Sequence, residues 1–184
     1  MNAAVLNQIQ THMQAHGVVF AAGMTDAEIA RTEAKFGFRF PPDLKQWLQH
    51  ALPISSGFPD WRAGAAEALN EQVQFADEGV LCDVEHNQFW AKAWGERPAT
   101  LPEALAVAKQ HLQRLPKLIP IYKHRFISSE PHEAGNAVLS IMQTDIIYYG
   151  ADLSSYLSHE FHFPNPLPAP SEPRRVPFWS DLIV

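Results

Sequence analysis

From Asn136 to Phe161 the chain reads NAVLSIMQTDIIYYGADLSSYLSHEF, with almost no filler between elements. Residues 137–143 are apolar on both alternating faces, Thr144-Asp145 supplies turn chemistry, and Ile146 to Tyr149 is a β-branched and aromatic run. Two buried central strands are predicted. Gly150 suits a tight corner, and Asp152 can accept hydrogen bonds from the first free amides of a helix. Leu153, Tyr156, Leu157 and Phe161 then recur on one helical face, which should dock on the sheet.

Upstream, Val5, Leu6, Ile9 and Met13 predict an amphipathic helix over residues 2–15. Thr25-Asp-Ala-Glu28 matches a capping box opening a helix that Gly37 would end, with Glu33 on its apolar side in need of a polar partner. Phe38-Arg-Phe-Pro-Pro-Asp-Leu begins another helix with proline in its first turn and Leu44, Trp47 and Leu48 as its stripe. Residues 53–59 read as a loop. Residues 63–78 are predicted helical with Gly79 as the stop, followed by a short buried piece, Val80-Leu81-Cys82. Trp90 and Trp94, four residues apart, would share a helical face. Thr100-Leu-Pro-Glu103 is a second capping box, ahead of the helical period Leu101, Leu105, Ala108, Leu112, Leu115. Ile119 to Ile127 alternates as one strand, and Ser128 to Gly135 is the loop that completes a three-stranded antiparallel meander. Five prolines in residues 164–173 predict an extended surface run before Val176-Pro-Phe-Trp-Ser-Asp-Leu anchors the end.

Composition narrows the function. The 184 residues, 46% hydrophobic and 18% charged, suit one domain with a substantial core. A single cysteine, Cys82, excludes an intramolecular disulfide and suits a reducing compartment. No leader-like start or long apolar run is present, so a cytoplasmic protein is expected. A net charge of −6 argues against nucleic acid and fits a partner with a basic surface.

Catalytic signatures are missing: no G-x-S-x-G elbow, no phosphate-cradling glycine loop and no Cys-x-x-Cys pair. His159 and His162 are three apart, whereas a helical zinc-protease pair needs four, and neither metal nor cofactor is expected. Cys82 reads as a buried structural thiol, and Asp145 and Asp152 as a turn and a cap. Pro170-Ser-Glu-Pro173-Arg-Arg175 fits a proline-arginine docking pattern, although the prolines already account for an extended tail. The best candidate surface gathers indoles, arginines and acids: Asp60, Trp61 and Arg62, then Asp83, Glu85, Asn87 and Arg97, with His124 and Arg125 lining the same region. Indoles and guanidinium groups carry much interface energy when exposed; for Trp90 and Trp94 burial in a core cluster is the favoured reading, and Trp61, beside a loop between two charges, is balanced between surface and core.

The segments GMTDAEIARTEAKFGFRFPPDLKQWL, FPDWR, DVEHNQFWAKAWGERP, KLIPIYKHRFI and NAVLSIMQTDIIYYGADLSSYLSHEF together resemble the SUKH superfamily. That group contains a fungal cell-wall-synthesis regulator and many bacterial immunity proteins. The likeness covers most of residues 23–161 in order. It implies one α+β domain over residues 1–184, with helices on a mainly antiparallel sheet and a proline-rich extension at about 164–184. It also implies a non-catalytic protein-binding module, which in bacteria most often neutralises a toxin. A regulatory scaffold using the proline tail, or a small-ligand binder near His124, Asn136 and Tyr148, are the alternatives.

Overall fold

Capping residues set where several helices begin. Asn2 Oδ1 accepts from the Val5 amide at 3.0 Å, and Asp152 Oδ1 from the Ser155 amide at 2.7 Å. The Thr25 hydroxyl accepts from the Glu28 amide while the Glu28 carboxylate accepts from the Thr25 amide, which is the reciprocal box the sequence predicts. In the computed structural model, which describes residues 1–183, the helices are α1 (Ala3–Ala15), α2 (Asp26–Phe36), α3 (Pro42–His50), α4 (Ala66–His86), α5 (Leu101–Leu112) and α6 (Leu153–Glu160). The strands are β1 (Phe20–Ala22), β2 (Ala51–Pro53), β3 (Leu118–Tyr122), β4 (Arg125–Ser128), β5 (Val138–Met142) and β6 (Asp145–Gly150).

The fold is α+β. β3, β4, β5 and β6 form an antiparallel meander in that order, while β1 and β2 make a separate two-stranded ribbon that the sequence reading did not predict. Alternation along the strands sends neighbours to opposite faces. Val138 and Ile127 join one core with Leu6, Trp47, Tyr156 and Leu157. Leu139, Ile141, Phe126 and Ile146 join a second with Val80, Ala108 and Trp179. The sheet is thus packed between α1, α3 and α6 on one side and α4 and α5 on the other.

Four expectations are corrected. The single strand over residues 119–127 is two, because Lys123, at φ +50°, turns the chain back and pairs Ile119 with Ile127. β6 is an edge strand rather than a central one; its Ile147 is 48% exposed, and Met142 at the end of β5 is 50% exposed. Gly79 does not end a helix: α4 runs on through it to His86. A Cβ at Gly79 would meet Gln143 Cα at 3.0 Å, so the missing side chain lets the β5–β6 turn lie against the helix. Finally, Trp90 precedes a short 3₁₀ turn (Lys92–Trp94), so the two indoles meet edge to face, 5.2 Å apart, without a shared α-helix.

At Thr100 the start of α5 is as expected, but the box does not form. The hydroxyl donates to the Glu103 carboxylate at 2.6 Å and caps no amide. Glu33 finds its partner in the Phe40 amide at 2.9 Å, bracing the end of α2 against the approach to α3.

Candidate functional site

Asp60, Trp61 and Arg62 are adjacent, with Trp61 buried, Asp60 half-buried and Arg62 at the surface. Asp60 Oδ1 accepts from the amides of Arg62 and Ala63, shaping the loop as an aspartate turn. Trp61 is 7% exposed and packs edge-on to Phe36, Phe38 and Phe40. The Arg62 guanidinium donates to the carbonyls of Ala22 and Gly23 and to Glu28. That hydrogen bond, with those from Thr25, holds the Glu28 carboxyl down at about 2.

A second group braces α4. Asp83 is 4% exposed; its Oδ2 accepts from the Thr144 amide and hydroxyl, and its Oδ1 from the Asn87 side chain. Burial acts to raise the Asp83 carboxyl, and the bonds from Thr144 and Asn87 outweigh it, leaving the group below its ordinary range. Arg97 donates to the Val84 carbonyl and lies 5.8 Å from the centre of the Trp90 ring. Trp90 is half-buried and Trp94 is buried, stacked against Phe178 and His111. Trp61 belongs to the first core and Trp94 to the second, so the three indoles form no common surface, and the burial favoured for Trp94 is observed. Tertiary packing against opposite faces of the sheet separates them.

Arg125 stands apart from both groups. It stacks over Tyr149 at 3.8 Å, donates to Ser140 Oγ and lies 3.4 Å from Glu160 in an ion pair. His124 beside it is half-buried, and its ring is held below the ordinary histidine range by desolvation and then by the Arg125 charge. Asn136 and Tyr148 are engaged elsewhere. Asn136 binds the carbonyls of Ser128 and Pro131 and accepts from Arg174 in the tail, while the Tyr148 hydroxyl meets Ser180 Oγ. His132 meets the Phe40 carbonyl, and among the described residues no three His, Cys, Asp or Glu side chains gather as metal ligands. Cys82 is half-buried, with its sulfur 3.7 Å from His86 Nδ1 and 3.3 Å from Gln143 Nε2. Arg174 and Arg175 of the proline-arginine pattern point back onto the domain, toward Asn136 and Asp181.

Of the nine candidate residues, Glu85 is the exposed carboxylate; the sequence reading set Asp60, Asp77, Glu78, Asp83 and Glu85 against a basic partner but missed the row that Glu78 and Glu85 form with Glu67 and Glu71. Glu67, Glu71, Glu78 and Glu85 are spaced by four, seven and seven residues, which returns each to one side of α4. That side is opposite Leu69, Ala76, Val80 and Asp83, which face the core. All four glutamates are exposed, and among the described residues none forms an ion pair with lysine or arginine. The spacing was legible, but ending the helix at Gly79 cut the row before Glu85.

No family model, curated protein or solved structure matches this chain. Among the described residues, no helix is long and apolar enough to cross a membrane.

Proposed function

We propose that this chain is a non-catalytic protein-binding module of the immunity type, acting in the cytoplasm to occlude a toxin domain that carries a basic surface. The supporting observation is the row of four exposed carboxylates along the 21-residue helix α4, where the one contact with a cationic side chain is Glu85 with His86 at 4.0 Å among the described residues. Such a row attracts a basic partner over distances set by ionic screening and orients it along the helix axis. The helix itself is held rigid, with its far end tied to the β5–β6 turn through Asp83. A rigid charged rail raises the rate and specificity of association more than its final strength. The likeness to the SUKH superfamily supplies the immunity role; the charge pattern supplies the partner's sign.

The test is affinity purification of the tagged chain from its own host at moderate and then high salt. A single stoichiometric partner that leaves as salt rises is the expected result. A variant with Glu67, Glu71 and Glu85 changed to Gln should capture that partner at least about tenfold less well, since each exposed charge pair contributes up to ~1 kcal/mol. Undiminished capture by the folded variant overturns the reading.

A further inference from the structure

A string of cations lines one trough of this acidic protein. Arg31, Lys35, Arg39, Lys109, Arg114 and Lys117 line it, six of the 14 lysines and arginines. Among the described residues none of the six has a carboxylate within ion-pair distance. The trough begins as a cavity of about 510 Å³ where Arg39, after α2, faces Arg114 and Pro116, after α5. Gln113 and Lys117 are shared with a second cavity of about 260 Å³ between α4 and α5. Lys117 and Asp77 are shared with a third of about 190 Å³, and Lys35 and Phe36 link that one to a fourth of about 220 Å³ beside Trp61.

We propose that this trough binds an extended acidic peptide segment of a protein partner. The inference rests on the reading of the chain as a protein-binding module and adds a second recognition chemistry to it. Charge complementarity selects the sign of the occupant: Glu28, Asp77, Glu78 and Glu130 also line the trough, and Lys117 pulls on Asp77, but the cations outnumber these carboxylates and all but Lys117 of the six are exposed, so they can meet the carboxylates of a ligand. The shape selects an extended chain. The positive groups are strung through four joined cavities, whereas a phosphate or a mononucleotide engages one convergent cluster. Between the cations the half-buried apolar side chains of Phe36, Leu81 and Leu115 offer contacts to alternate residues of a strand-like peptide. Alternating acidic and apolar residues match this lining. The trough runs along the flank of α4 next to its glutamate row, with Glu78 on the border. The molecule therefore presents an acidic track beside a basic one, and a partner must carry both in the complementary order, which is a device for specificity.

The experiment is fluorescence anisotropy of the intact chain with a labelled peptide of alternating Glu and Leu. Competitors are unlabelled peptide, a Lys-Leu peptide of equal length, ATP and inorganic phosphate. Binding that weakens with salt, survives the Lys-Leu peptide, ATP and phosphate, and falls at least about tenfold in R39E/R114E/K117E is the expected result. R31E/K35E, at the other end, should cause a smaller loss, and thermal melts confirm that both variants fold. Equal affinity in both variants overturns the proposal, as does displacement by the Lys-Leu peptide, which would mark purely apolar binding, or by ATP or phosphate, which would mark a phosphate site. Glu67, Glu71 and Glu85 lie outside the trough, so their Gln variant should bind the acidic peptide normally. Failure of the glutamate row and failure of the trough are thereby read separately.

Discussion

At Asp83 one carboxylate joins α4 to the β5–β6 turn, and its removal shows what a buried acceptor contributes. Asp83→Ala leaves the Thr144 amide and hydroxyl without their partner, at a cost of about 2 kcal/mol, measurable by urea denaturation. Glu28 makes a pH prediction. Its carboxyl is held at about 2 against an ordinary 4.5, chiefly by Arg62, so the pair's contribution is fully present above pH 4.5 and is lost as pH falls toward 2. Arg62→Ala should lower Tm at neutral pH, with the gap to wild type closing over that acid range in thermal melts. Asp77 has the opposite sign. Burial raises its carboxyl, against the pull of Lys117 and with added repulsion from Glu78. The ionised form therefore costs stability as pH rises through the folded value. Asp77→Asn should melt higher than wild type at pH 7, the difference disappearing below the ordinary aspartate value of 3.8. These three residues show what sequence withholds at this scale: Asp83 and Asp77 lie six apart on one helix, and only what packs against them sets their opposite shifts.

At the scale of elements, glycines separate two kinds of requirement. Gly150 was read as a corner, and the corner is real, but contact decides its identity: a Cβ there would come within 2.5 Å of Tyr156 Cβ on α6. Gly150→Ala should cost about 1–3 kcal/mol by overpacking. Gly79 sets two effects against each other. Alanine would gain about 1 kcal/mol of helix propensity but press on Gln143 Cα, in a turn already fixed by Asp83. Net destabilisation of Gly79→Ala in urea is expected; a gain would mean the turn gives way. Helix starts were legible because caps act within four residues, as at Thr25 and Asp152. The β3–β4 turn was not, since Lys123-His124 carries no glycine or asparagine to announce a positive φ.

Across the whole molecule, two cores share one sheet, and the tail completes the second. Residues 164–173 run exposed apart from Leu167 and Pro173, yet Val176 and Trp179 beyond them are 2% and 1% exposed against α4, α5 and the sheet. Deleting residues 164–183 should therefore destabilise the domain by at least about 3–5 kcal/mol, the usual cost of losing one buried tryptophan, and circular dichroism on heating would show it. A tail that merely lay on the surface would leave the melt unchanged.

The sequence by itself determined the helices and antiparallel strands of the meander, the caps at Thr25 and Asp152, the apolar stripes and the acidic balance, because those follow from periodicity and from interactions within a few residues. Tertiary structure alone decided which face of the sheet each indole joins, why α4 passes through Gly79, and how cations from positions 31 to 117 come to line one trough. These depend on long-range packing and close approach, and no local pattern encodes which distant surfaces will meet.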